Sequence, residues 1–462
     1  MTALVGVVVV DHDGGALTLR CVESLLGLDW PPDRLRVVVV DNASVDSLAP
    51  DLEGRDPRLA VLHSEVNLGF AGGCNAGIRH LLHDVEYVGL LNNDAEADPG
   101  WLRGLVAALE GDPSAGAAGS KVLFASPFVE VELEVPVRVR GHGDRRALGV
   151  RVLGARVDGS DVWSRTQLVH GFWGPEYDGP GRPPYQWSTG RAVLRVPVGS
   201  RDRGPAAARP SAELLLAADR DVTAAVRSGP ALGSVSVGAQ PQWCAVDLAG
   251  PAVDVVNSAG VDLVAGGFGA DRGYLEVDTG QYDGPAEVFA WSGASVLLTR
   301  AYLESAGLFD DRFFLYYEDF DLAWRGRLRG WRHVYAPASV ARHVHAATTG
   351  LASPLQDHYV ERNRLLTLVR NAPAPLAWSA VVRFLLVTVS YARRDVVARV
   401  LRGRRPNGEA VRRRLGSFVA FLRLAPAAMA GRRRARRGAA LTEADLRNWM
   451  VTVDDRVVGT RE

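Results

Sequence analysis

The chain has 462 residues, 47% of them hydrophobic and 23% charged, which is ordinary globular usage and excludes both wholesale disorder and a polytopic membrane protein. At roughly 100–200 residues per domain, more than one domain is expected. The formal net charge is zero, yet Arg393 to Arg437 holds 15 Arg against Asp395 and Glu409, residues 438–462 hold 3 Arg against 5 acids, and residues 1–392 therefore carry −11.

Met1 to Val10 is apolar but stops at Asp11, far short of the ~18 residues of a spanning helix, and it lacks the basic start of a secretory signal. It reads as a buried strand. Short β-branched runs at 4–10, 35–40, 59–63 and 86–91 alternate with helical patterns such as Ala16–Leu28, where Leu19, Val22, Leu25 and Leu26 recur at helical spacing. This is the pattern of βαβ units on a parallel sheet. Such sheets bind ligands beyond the carboxyl ends of their strands. Those ends carry Asp11-His12-Asp13, Asp41-Asn42-Ala43-Ser44 and Asn92-Asn93-Asp94.

From 125 to 250 the helical periodicity fades, and Val/Leu runs at 129–139 and 192–198 alternate with Gly, Pro and Arg. An inserted all-β module, a small sandwich without a catalytic motif, is expected there. Mixed structure returns over 251–350. Residues 351–462 read as a helical, Arg-rich region, with an apolar run Leu376–Ala392 that contains Arg383 and is short of the ~20 residues spanning requires. It suits an interfacial helix followed by arginines that attract anionic lipid, or equally a core helix with a solvated basic face.

Four stretches carry chemistry. Asp94 at its strand end fits a helix cap and also fits a ligand of a hard divalent cation shared with phosphates. The glycine-rich Asn67–Gly77 segment, read as a loop opening a helix, would point backbone N–H groups at phosphate oxygens, though such glycines also serve conformation alone. In Phe313–Arg325, Glu318, Asp319 and Asp321 open an amphipathic helix among aromatics. They would stabilise the helix N-terminus, and one could act as general base beside a sugar-stacking surface. His343 and His345 alternate as on a strand, facing one way, as structural side chains or metal ligands.

Taken together, DNAS at 41–44, NLGFAGG at 67–73, LLNND at 90–94 and YYEDFDLAWR at 316–325 resemble the family 2 glycosyltransferases, especially their bacterial rhamnosyltransferase-like members. The likeness covers roughly 4–124 and 253–350 and extends weakly to Glu361-Arg362-Asn363-Arg364. It implies an α/β fold: a GT-A-type, Rossmann-like nucleotide-sugar domain with the β-rich module inserted and the basic helical region following. Residues 1–124 would be the nucleotide-sugar half and 251–350 the acceptor-binding, catalytic half.

The resemblance also implies roles. Asp11, Asp13, Asp41, Asn42, Asn67, Gly69, Phe70, Asn75, Asn92 and Asn93 would lie on the donor side. Asp94 would hold Mg²⁺ or Mn²⁺ on the diphosphate, with a late histidine, His343 better than His345, joining it. Asp319, with Glu318 beside it, would be the base, and Trp291, Gly293, Ala294 and Asp321 would meet the acceptor. The implied reaction is inverting, metal-dependent transfer of a rhamnose-like or other hexosyl group from a dTDP- or UDP-linked sugar to a glycan or lipid-linked acceptor in cell-envelope polysaccharide synthesis. The competing reading is a non-catalytic carbohydrate-binding or membrane scaffold protein that keeps the fold.

Three scattered cysteines, Cys21, Cys74 and Cys244, argue against a disulfide framework and suit a reducing, cytoplasmic setting, peripheral on the inner face of the membrane if the basic segment binds lipid. Nucleic acid is not expected as a partner, because the arginines lack interleaved stacking aromatics.

Overall fold

The computed structural model describes residues 2–141, 144–176, 185–199, 210–345, 353–403 and 405–452. It divides into two compact units. Among the described residues, the first comprises 2–123, 257–274 and 280–452, and the second 124–256 with 275–279.

In the first unit, β1 (Val5–Asp11) is an almost unbroken apolar run buried on both faces, as a central parallel strand must be. It pairs in parallel with β2 (Leu35–Asn42) on one side and β4 (Tyr87–Leu91) on the other, and β2 pairs in parallel with β3 (Leu59–Ser64). The helices α1 (Ala16–Leu26), α2 (Gly69–Leu81) and α3 (Trp101–Glu110) flank the strands. The sheet becomes mixed beyond β4: its order runs from Ala286–Glu287 through β7 (Arg332–His343), β5 (Ala115–Phe124) and β6 (Ser295–Thr299) to β4, β1, β2 and β3. β6 is antiparallel to both β4 and β5. Two apolar clusters cover the faces, one around Trp101 and Val22, the other around Trp291, Phe289 and Trp324.

After the sheet come α4 (Glu318–Leu328), α5 (Pro354–Asn371), α6 (Ala374–Tyr391) and α7 (Glu409–Arg436). Met450–Val451 returns to pair in parallel with Leu263 and Val264, while Trp449 packs on Phe289 at 6.0 Å.

The second unit is antiparallel throughout its main sheet. Phe128–Glu134 alternates Val129, Val131 and Leu133 inward with Glu130, Glu132 and Glu134, and pairs with Gln186–Pro197. The expected sandwich is one continuous sheet. Arg151–Val157 joins Gln186–Pro197 only at Arg151 and Val152, so the sheet turns there and its two halves share one apolar core. Residues 275–279, assigned by sequence to the catalytic half, belong to this unit through the Val255–Val277 bridge.

Candidate active site

β1 and β2 end side by side, with Asp11 opposite Asp41. Asp11 is 1% exposed. Its Oδ1 accepts from Gly14 N, Thr18 Oγ1 (2.6 Å) and Asn93 Nδ2 (3.1 Å), and its Oδ2 from Ser44 Oγ. Expected on the donor side, it is the inward hub that fastens the first and fourth strand ends together, and Asn93 is bound to it. Asp13, in the left-handed region at φ 54°, stays exposed and accepts from Val45 N at 2.6 Å. Asp41 accepts from Ser44 N and Ser47 Oγ. Burial pushes its carboxyl up, but these hydrogen bonds outweigh it and hold it below the usual range.

The glycine-rich stretch is mostly helix rather than loop. α2 starts at Gly69, and a Cβ on Gly73 or Gly77 would strike Val10 or Val8 at 2.6 and 2.4 Å. Those glycines let α2 lie directly on β1, a packing requirement rather than a phosphate cradle. Asn42 shapes the entry: its Oδ1 accepts from Leu68 N, and its Nδ2 donates to Asn67 Oδ1 and Gly69 O. Phe70 meets Phe309 edge-on at 6.4 Å. Asn75, fully buried, donates to Phe309 O and Asp311 Oδ1 and accepts from Phe309 N. It clasps the chain ahead of the ED pair and does not open toward a donor.

The fourth strand end meets the late histidine through Ala95–Ala97, which pairs with Ala341–His343. Asp94 Oδ1 lies 2.9 Å from His343 Nε2, both nearly buried. His343 Nδ1 faces Asn257 Oδ1 at 3.0 Å. An amide oxygen there calls for the proton on Nδ1 and sets Nε2 toward the carboxylate. Two lone pairs at this distance need a proton or a cation between or beside them, and donors sharing an octahedral cation at about 2.1 Å lie about 3 Å apart. Asn92 stands beside them, its Nδ2 3.3 Å from His343 Nε2 and its Oδ1 buried without a hydrogen-bond partner. The donor set fits a hard divalent ion completed by phosphate oxygens. Among the described residues no group of three or more His, Cys, Asp or Glu is close enough to hold a metal unaided.

His345 does not alternate with His343 on one strand. The strand ends at His343, and His345 adopts φ 65°, its ring edge-on to His343 at 5.5 Å and its Nδ1 near Asn257 Nδ2. Burial and then His343 push its imidazole down to about 4.

Asp319 stands at the start of α4. Its Oδ2 accepts from Gly293 N (2.8 Å) and its Oδ1 from Phe320 N (2.7 Å), while Asn92 N donates to Ala294 O (3.0 Å). The 292–294 loop thus connects the strand end that carries Asp94 to the ED pair. Asp319 lines a cavity of about 120 Å³ with Asp271, Trp291, Ser292, Tyr317, Phe320, Gly269 and Val261. Burial pushes the Asp319 carboxyl up against its backbone hydrogen bonds. Glu318 is buried with Oε2 unpartnered, and burial followed by the charge of Asp319 pushes it well up. Asp321, expected at the acceptor, is fully buried. Its oxygens are held by Arg325, Arg370 and Asn371, so it fastens α4 to α5 and no acceptor reaches it.

Asp271 is the site residue that motif reading missed. It ends the hairpin Val261–Val264/Phe268–Asp271. Burial, with Asp319 adding to it and His343 and Ser258 opposing, pushes its carboxyl up to about 6. The available signal was Gly266-Gly267 between alternating runs, a hairpin turn that sets Asp271 opposite Val261.

Residues 7–136 match the profile described as Glycosyl transferase family 2. An N-acetylglucosaminyl-diphospho-decaprenol L-rhamnosyltransferase of Mycobacterium tuberculosis is 36% identical over 92 residues, 19% of this chain and 30% of that protein. The chain therefore matches less than a third of this relative's length. Among solved structures, GalNAc-T7 with UDP, GalNAc and Mn²⁺ aligns with 80% of this chain and 48% of its own at TM-score 0.41 and 12% identity. The mannosyltransferase PcManGT from Pyrobaculum calidifontis, in complex with GDP-Man and Mn²⁺, aligns with 94% and 74% at TM-score 0.36 and 14% identity.

Proposed function

Because residues 7–136 match the Glycosyl transferase family 2 profile, we propose that the chain transfers a rhamnose-like or other hexosyl group, with inversion, from a dTDP- or UDP-linked sugar to a glycan or lipid-linked acceptor of the cell envelope. The observation that carries this reading is the cavity at Asp319, tied by the 292–294 loop to the strand end bearing Asp94.

Inverting transfer needs a base behind the anomeric carbon and a neutralised leaving group across an oxocarbenium-like transition state. An acceptor hydroxyl in the cavity gives its proton to Asp319 as its oxygen bonds to the anomeric carbon, and the electron pair of the breaking bond leaves with the diphosphate. Burial raises the proton affinity of Asp319, which suits a base. Gly293 N and Phe320 N fix the orientation of the carboxylate, and the ring of Trp291 forms an apolar wall. Asp94 and His343 would hold Mg²⁺ or Mn²⁺, which when bound supplies positive charge to the diphosphate. The proposed setting is the cytoplasmic face of the cell membrane, consistent with three free, buried thiols and with a lipid-linked acceptor.

The test is nucleoside diphosphate release from a panel of dTDP- and UDP-sugars, together with thermal shift with and without Mn²⁺. Asp319→Asn should abolish release and keep the Mn²⁺-dependent shift, whereas Asp94→Ala should lose both. A shift without release in the unmutated protein, across donors and acceptors, would favour the carbohydrate-binding scaffold.

A further inference from the structure

Two neighbouring helices turn rows of large apolar side chains to solvent. On α6 the exposed Trp378, Val382, Leu385, Leu386 and Val389 follow one another at helical three- and four-residue spacing, while Ala377, Ala380, Phe384 and Thr388 are buried on the other side. On α7 the exposed Leu415, Val419 and Leu422 keep the same spacing and Met429 lies two turns further on, with Phe421, Ala425 and Ala428 buried opposite. The pair is joined by stacking of Phe384 on Phe418 at 5.7 Å and by Arg414, which donates to Thr388 Oγ1 at 3.0 Å and to Phe384 O. Val397, Val400 and Leu401, just beyond α6, are exposed as well. Single exposed apolar residues are ordinary, but rows of this kind mark an interaction surface.

Charge identifies the occupant. The α7 row is bracketed by exposed Arg412 and Arg433 on the same face, and exposed Arg393 continues the α6 row four residues past Val389. Residues 393–437 carry 15 Arg against two acids. A second copy of the chain would bring the same positive charge to the contact, and nucleic acid would leave the apolar rows in water. An anionic bilayer satisfies both, taking the apolar rows at the acyl boundary and the guanidinium groups at the phosphates. Ala374–Leu401 is long and apolar enough to cross a membrane by composition, at 28 residues and hydropathy 1.4. One face of α6 is fastened to protein, however, which sets the helix along the surface and not through it.

We propose that the outward faces of α6 and α7 form a monotopic seat for a membrane carrying anionic headgroups. The inference rests on these helices alone and stands or falls independently of the transferase reading.

The experiment is flotation of the full chain with phosphatidylcholine vesicles, with and without phosphatidylglycerol. The chain should float with the anionic vesicles and less as salt rises. Trp378→Ser/Leu386→Ser/Leu422→Ser should weaken binding roughly tenfold or more, given the apolar area withdrawn. Arg393→Gln/Arg412→Gln/Arg433→Gln should erase the preference for phosphatidylglycerol. Both variants alter exposed positions and should keep the parent melting curve and its nucleoside diphosphate release. The seat is overturned if the unmutated chain stays with the protein fraction, if the Ser variant floats as well as the parent, or if light scattering shows a dimer that the Ser variant dissolves.

Discussion

A carboxyl group that shares a cavity with another holds its proton more tightly than one in water, because desolvation and like charge both penalise the anion. Asp271 is such a group, at about 6 against an ordinary 3.8. In the folded protein it binds a proton that the unfolded chain has already lost between pH 3.8 and 6, so its contribution to stability falls as pH rises through that window and stays unfavourable above it. Asp271→Asn should therefore remove a penalty of about 3 kcal/mol at neutral pH and nothing at pH 3.5. Urea unfolding of both proteins across pH 3.5–7.5 checks this, and parallel curves would refute it. At Gly293, the Cβ of an alanine would come within 3.1 Å of Asp319 Oδ2, tighter than ordinary packing, and the carboxylate must give way. Gly293→Ala should lower kcat at least tenfold, since misplacing a base costs more than weakening its bonds, with little change in melting temperature or in Mn²⁺-dependent shift.

At the scale of elements, the segment 313–317 is where local sequence says least. Phe314, Tyr316 and Tyr317 have φ of 66°, 65° and 68°, a region that bulky residues occupy at a cost of order 1 kcal/mol or more each. Nothing in their identity announces this. What holds them lies on α5, almost fifty residues onward: the buried Asn363 Nδ2 donates to the carbonyls of Phe313, Leu315 and Tyr316 at 2.7–2.9 Å, and Arg362 donates to those of Arg312 and Phe313. The same segment meets α2, where Ala71 N donates to Phe314 O, and it leads directly into Glu318 and Asp319. Asn363→Ala should cost about 1–3 kcal/mol and reduce kcat more than KM. Asn363→Asp, similar in shape but without donors, should be no better. Equal stability and turnover in the Asp variant would show that the amide does not hold the segment.

The parallel half of the sheet was legible because unbroken valine runs have few alternatives to a buried strand, and the same alternation of strand and helix patterns put Asp94 just beyond a strand and the ED pair at a helix start. The roles of Asp11, Asn75 and Asp321 were not, because whether a polar side chain faces a ligand or closes onto the protein depends on partners far away in sequence.

At the scale of the molecule, the candidate site is gathered from all three pieces of the first unit: Asp94 from 2–123, Asp271 from 257–274, and Trp291, Asp319 and His343 from 280–452. The second unit supplies none of these residues and has an apolar core of its own, with Leu133, Leu194 and Leu216 fully enclosed. A core that is complete within one unit should melt as that unit. Calorimetry of the full chain should show two heat-absorption peaks, and Mn²⁺ with UDP or dTDP should raise only the peak of the first unit, since a ligand stabilises only the fold that binds it. Leu194→Ala removes about 2–5 kcal/mol of packing and should lower only the other peak, leaving the ligand-dependent shift intact. A single peak that moves as a whole under both perturbations would mean that the chain unfolds as one cooperative body, with the β unit contributing to the stability of the site it does not line.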